Sequence, residues 1–236
     1  MELCRYISFN RFCEMLFFKE LSLVSPELWN DKYENYILQI LKAEDGAERL
    51  KNDIIIAKEF SEGHAIWLVD FIKMVCSSAR CLCFSRSYDS EVMWNAYNNN
   101  NQTIMLVTDD HRVESINPDF EIRIVKYDLE QIGYKSFLRT LPFHMDDRYL
   151  RNTHELFIHK REFFSYENEV RVINLEDTKA PKVKSYPIVS LPDFISGVMV
   201  HPLADERYTL LIRKMCREFG LVFRGRSRIY EMKTII

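Results

Sequence analysis

Glu167, Glu169 and Arg171 stand at alternate positions in the stretch Tyr166-Glu167-Asn168-Glu169-Val170-Arg171-Val172-Ile173. Alternation of this kind reads as a β-strand, with Tyr166, Val170 and Val172 on one face and the two carboxylates and the guanidinium on the other. Facing solvent, the charged side is a salt-bridged outer surface. Lining a cleft, it can orient a hydroxyl and stabilise a cation.

Other elements must hold such a strand in place. Residues 4–7 and 21–24 read as short strands around an amphipathic stretch at 10–19, with Ser25-Pro26 closing the second strand. Apolar residues recur at helical spacing from Asp31 to about Leu41, and further helices are expected over 47–60 and 64–77. The pattern then turns to strands at 80–85, 103–108 and 121–127, with a short helix over 89–97 carrying Trp94. Residues 146–162 read as helical and feed the strand at 166–175, followed by strand candidates at 182–189 and 195–201. Asp205 is placed to cap a helix that runs to Phe219 and stops at Gly220, and 227–232 closes the chain as a strand. Strands and helices without regular βαβ alternation predict an α+β fold.

The 236 residues, 47% of them hydrophobic, can build a sizeable core. A single domain over 1–236 is expected, with a helical insertion at about 31–79 between the first strands and the main sheet. A net charge of −3 excludes an overall polycation, although Arg213, Lys214, Arg217, Arg224, Arg226 and Arg228 crowd together against Glu218. That cluster is either a nucleic-acid footprint or a solvated helix face and turn.

No apolar run is long enough to span a bilayer, so no membrane partner is expected, and the start shows no secretory pattern. The six cysteines, without a CxxC pair, read as free thiols of a reducing cytoplasm. The histidines show neither HExxH nor triad spacing, so no metal site is expected. None of the six glycines forms a GxGxxG or Walker loop, which leaves any phosphate to arginines or helix ends.

Short motifs stand in order along the chain: Arg5-Tyr6; Ser25-Pro26-x-x-Trp29-Asn30-Asp31-x-Tyr33-Glu34; Cys83-Phe84-Ser85; Met93-Trp94-x-x-Tyr97; Val125-x-Tyr127; and Lys160 ahead of Phe164-x-Tyr166-Glu167-x-Glu169-x-Arg171. In these the sequence resembles the bacterial family catalogued as domain of unknown function 2971. It departs from that family's usual pattern at Lys32 (often proline), Ala96 (often histidine), Thr103 (often glycine) and Phe164 (often tryptophan). More distantly, the order of an arginine, a strand serine and a later Glu-x-Glu resembles ADP-ribosyltransferases of the Arg–Ser–Glu type. Arg5, Ser85 and the pair Glu167/Glu169 stand in those roles.

That second resemblance implies an ADP-ribosyltransferase-like fold, in which a helical N-terminal third packs on a mixed, mainly antiparallel split sheet with a central cleft. It also implies NAD as substrate and cleavage of the nicotinamide–ribose bond through an oxocarbenium-like state. Glu169 would hold the ribose 2′-hydroxyl and stabilise the developing charge, and Glu167 would orient or deprotonate the acceptor. Arg5, beside Tyr6, would grip pyrophosphate or ribose, Ser85 would bond Glu169 or the ribose, and Trp94 or Tyr97 would stack on nicotinamide. Arg171 completes the expected cofactor-binding set.

Each residue also has a plainer reading: Arg5 as a core-edge ion pair, Ser85 as a strand end, Trp94 as core, and Asn30-Asp31 as a helix cap. The function expected is a glycosyltransferase-class ADP-ribosyltransferase, a bacterial toxin or phage-defence effector with a nucleic-acid or protein acceptor and an antitoxin or other restraining partner. Two alternatives stay open: a Mg²⁺-dependent nuclease using Asp109, Asp110, Glu167 and Glu169, and a non-catalytic nucleic-acid or protein-binding module.

Overall fold

A computed structural model describes residues 1–129, 138 and 149–231. The chain opens with β1 (Glu2–Ile7), whose alternation sends Leu3 and Ile7 into one apolar core and Cys4 and Tyr6 into another. Ser8 caps α1 (Phe9–Phe18) by accepting the Arg11 N–H, and Lys19 ends the helix in the left-handed region at φ 52°. The chain returns as β2 (Glu20–Val24).

Three helices follow: α2 (Tyr36–Lys42), α3 (Gly46–Lys58) and α4 (Glu62–Ser78). The rest of the chain supplies β3 (Ala79–Ser85), α5 (Glu91–Ala96), β4 (Ile104–Asp109), α6 (Asp110–Glu114) and β5 (Glu121–Ile124). After two 3₁₀ segments (Tyr149–Phe157 and Glu162–Glu167) come β6 (Glu169–Leu175), β7 (Val183–Pro187), α7 (Leu191–Phe194), β8 (Gly197–Val200), α8 (Glu206–Glu218) and β9 (Phe223–Arg226).

The strands form one sheet in the order β5-β6-β3-β1-β4-β8-β9, with β2 pairing to β3 and β7 pairing to β2. Among the described pairs of named strands, only β8–β9 is parallel. The decisive feature is a fork at β3. Its Ser85 end pairs with β1 through Cys4, whereas its Cys81 end pairs with β2 through Val24. With one registered pair on each branch, β1 and β2 part and leave a gap in the sheet. The fold is therefore α+β with a mixed, mainly antiparallel split sheet, and four of its helices lie in the first third of the chain.

One core covers the sheet face bearing Leu82, Phe84, Val170 and Val172, packed by α1 and α8. A second joins α3 and α4 to Cys81 and Ile173 on the opposite face. Each fully buried Leu or Ile contributes about 1.5–3 kcal/mol of transfer free energy.

Four local expectations are corrected. The strand begins at Glu169, not Tyr166: residues 162–167 form a 3₁₀ segment, and Asn168 turns the chain at φ 44°, a left-handed conformation that Asn tolerates. The first helix of the three begins at Tyr36 because Asp31 Oδ1 accepts the Tyr33 N–H at 3.0 Å and turns the chain first. The described part of 146–162 is 3₁₀ rather than α-helical, and Asp146 lies outside the described residues. The last described strand is β9, since the Ser227 side chain is drawn to Asp89, and Met232 lies outside the described residues. Among the described residues, no helix is long and apolar enough to cross a membrane.

Candidate functional site

The gap between β1 and β2 opens into a cleft of about 840 Å³, within the range of small-molecule sites. Arg5 and Tyr6 line it from β1, Ser22 and Val24 from β2, Cys83 and Ser85 from β3, and Glu167 and Glu169 from the turn into β6. The register explains the convergence. Ser85 pairs with Cys4 on one side and with Glu169 on the other, so the fork holds β1 and the start of β6 beside one another.

A compact charge network lies at the bottom. Glu169, 2% exposed, receives Arg171 Nε on Oε1 at 2.6 Å and Lys160 Nζ on Oε2 at 3.0 Å. Lys160 also meets Glu34 Oε1 at 2.9 Å and Glu167 Oε2 at 2.7 Å, and Arg171 pairs with Glu34 Oε2. Two cations against three carboxylates leave one negative charge in the cluster. The Trp29 ring lies 4.4 Å from the Arg171 guanidinium carbon.

This arrangement drives the two carboxylates apart. Burial alone would raise Glu169, but Arg171 and Lys160 overcome it and hold the carboxyl at about 2. Burial raises Glu167 as well, and there Lys160 does not cancel it, so Glu167 sits above the ordinary carboxylate range. Lys160 is itself held well up, because Glu169, Glu34 and Glu167 together outweigh its burial. One ammonium serves three carboxylates, and Glu167, without Arg171, is served worst. Carboxylates pushed apart in this way suit an ionised stabiliser and a proton acceptor.

The remaining expected site residues divide. Arg5 lines the cleft and, among the described residues, its guanidinium forms no ion pair; Arg171, not Arg5, neutralises Glu169. Tyr97 presents a half-exposed ring stacked on Tyr6 at 6.2 Å. The Tyr6 hydroxyl is occupied, donating to Ser87 O at 2.9 Å and accepting the Ser90 N–H at 3.0 Å. Ser85 requires a correction: its hydroxyl donates to the Glu167 backbone carbonyl at 2.6 Å, not to the Glu169 carboxylate, and so fixes the turn that carries both glutamates.

Trp94 and Arg171 also require correction as cofactor contacts. Trp94 is fully buried behind Tyr6 and does not line the cleft; its Nε1 donates to Asp89 Oδ1 at 2.8 Å. Trp94→Ala should therefore lose about 3–5 kcal/mol of stability, as other large-to-small core changes do, read as a lower urea midpoint. Arg171 is fully buried beneath Glu169 and Glu34, where it positions carboxylates instead of touching a ligand.

Sequence reasoning missed Lys160 and Glu34 as site residues. Both stand in the quoted motifs, 126 positions apart, and their juxtaposition carries no local periodic signal. Asn30 and Asp31, read as a cap, line the cleft, and Asp31 pairs with Arg161 at 2.9 Å. Asp109 and Asp110 are not brought to Glu167 and Glu169: Asp109 binds Arg112, and Asp110 binds the Met1 amino group. The acidic set of the nuclease alternative is thus divided, and among the described residues no group of three or more His, Cys, Asp or Glu side chains is placed to hold a metal.

Fold and site together define an α+β protein with a forked sheet and a carboxylate-lined cleft. No protein-family model matches the chain, and no curated protein matches it. Among solved structures it is similar to Thermus sp. 2.9 DarT in complex with NAD+, at 10% identity and TM-score 0.38, over 95% of this chain and 92% of that chain. The same values of identity, TM-score and coverage of this chain hold for Thermus sp. 2.9 DarT in complex with ADP-ribosylated ssDNA, with 91% of that chain covered. At that superposition the likeness assigns no residue and no activity to this chain. The resemblance to the domain of unknown function 2971 family stands on its motifs alone.

Proposed function

We propose that this chain is an ADP-ribosyltransferase-like enzyme that takes NAD as its substrate and passes ADP-ribose to a nucleic-acid or protein acceptor, as a toxin or phage-defence effector of bacteria. The observation that carries the reading is the convergence of Arg5, Glu167 and Glu169 on one cleft at the fork of the sheet.

The chemistry follows from the charges. As the bond from ribose C1′ to the nicotinamide nitrogen breaks, its electron pair leaves with nicotinamide and positive charge grows on the ribose. A cluster that already carries one excess negative charge, with Glu169 held ionised, favours that state over the ground state. The acceptor then bonds to C1′, and its proton passes to Glu167, whose raised pKa and cleft-facing position suit a base. Arg5 meets the pyrophosphate, and Tyr97 offers a ring for nicotinamide.

One observation favours a second reading, a non-catalytic binding module: both Glu169 oxygens already have cationic partners. Incubation of the chain with labelled NAD and bacterial extract, followed by separate recovery of nicotinamide, protein and nucleic acid, decides between them. Release of nicotinamide with label in one macromolecular fraction is expected. A rise in melting temperature with NAD, but no release of nicotinamide, would establish the second reading.

A further inference from the structure

The cleft continues past the carboxylates. A second hollow of about 320 Å³ opens along the same gap between β1 and β2, and shares Arg5, Arg11, Ser22 and Val24 with the first. Met15 and Phe18 of α1, the helix that joins the two parted strands, line this hollow together with Val183 of β7. Its volume lies at the low end for small-molecule sites, roughly 300–1,000 Å³, and fits a fragment better than a whole dinucleotide.

Two features point to its occupant. Arg5 and Arg11 stand at the junction of the two hollows; Arg11 is paired with Glu14 at 2.7 Å, whereas Arg5 has no ion-pair partner among the described residues. A poorly solvated cation without a counter-ion is costly, and burial, with Arg11 nearby, lowers the Arg5 pKa; an anion at the junction would relieve both. The Phe18 ring is also left 70% exposed at the edge of the second hollow, where a base could stack on it. Carboxylates, then arginines, then a hollow of mixed lining with an aromatic edge reproduce the order of ribosyl cation, pyrophosphate and nucleoside along a dinucleotide. Glu14 and Glu20 on the same hollow disfavour a polyanionic strand and leave a neutral nucleoside as the better fit.

We infer that the hollow over α1 takes the adenosine half of the dinucleotide, with the pyrophosphate at Arg5 and Arg11 and the nicotinamide ribose toward Glu167 and Glu169. The inference rests on NAD being the ligand proposed above, and it assigns Phe18 and Val183 as residues that select an adenylate end.

Calorimetric titration of the full chain with ADP, and separately with nicotinamide mononucleotide, tests it. ADP should bind the unmodified protein. Phe18→Ala should weaken ADP roughly tenfold, the lower range for losing one base–aromatic stack, and Val183→Trp, which fills the hollow from an exposed strand position, should weaken it further. Neither variant should change binding of the mononucleotide. No ADP binding by the unmodified protein, unchanged ADP binding in both variants, or an equal loss for both ligands would overturn the assignment. ADP binding with the expected variant pattern but no NAD turnover would instead remove the transferase reading and leave the subsite standing.

Discussion

Glu169→Gln is expected to lower both ADP-ribose transfer and plain NAD hydrolysis by roughly a hundredfold or more, the loss typical of one preorganised electrostatic contact. The glutamine keeps size and shape but removes the charge that Arg171 and Lys160 hold ionised. Glu167→Gln should behave differently. Its carboxylate, pushed up by burial, is assigned to the acceptor's proton, so transfer should fall while hydrolysis partly persists, water needing no positioned acceptor. Nicotinamide release and label transfer, measured side by side, separate the two effects. The reverse pattern would exchange the roles, and full activity in both variants would make the network structural.

A pH series measures separately what the charge of Glu169 adds to stability. Glu169 is depressed in the folded state, so the stability it adds is present above the unfolded carboxylate pKa of about 4.3 and disappears as pH falls toward about 2. The stability gap between wild type and Glu169→Gln should thus be flat from pH 7 to about 5 and close only in acid. Chemical unfolding at each pH measures it.

Alternation of apolar and polar residues made β2 and β6 legible in the sequence, and short β-rich apolar runs did the same for β1, β3 and β4. The Asp205 cap and the Gly220 stop located α8 for equally local reasons. What stayed hidden depends on side chains competing with the regular pattern. Asn168 breaks the apparent run from Tyr166, and Asp31 turns the chain ahead of α2. Neither effect has a period to read.

The site was legible where chemistry follows residue type and hidden where it follows packing. Carboxylates spaced Glu-x-Glu drew the eye to Glu167 and Glu169, and the structure brings both to the cleft. Trp94 and Tyr97 read equally well as rings for nicotinamide, but Trp94 packs edge-on against Tyr6 in the core, whereas Tyr97, at the C-terminal cap of α5, stays half-exposed on the cleft. Lys160 stands in a motif, but nothing local in the sequence ties it to Glu34. Only the fold gives it three carboxylate partners.

Lys160→Met is the strongest test of that network. Removing the ammonium leaves Glu34, Glu167 and Glu169 facing one another with Arg171 as the remaining cation paired into the cluster, and the excess charge doubles. Breaking one member of a buried ion network typically costs 3–5 kcal/mol, so the urea midpoint at pH 7 should fall sharply. The sign with pH follows from Glu167. Its folded pKa is already raised, and losing Lys160 raises it further; such a group favours the fold below the unfolded carboxylate pKa and loses that contribution as pH rises through the folded value. Acidification from pH 7 toward 5 should therefore protonate Glu167 in the variant first and recover part of the lost stability. Adding Glu167→Gln to Lys160→Met should recover a similar part at pH 7 without acid, a coupling that a double-mutant cycle reads directly. Equal destabilisation at both pH values, with no recovery in the double variant, would show that Lys160 does not act through the charge of Glu167.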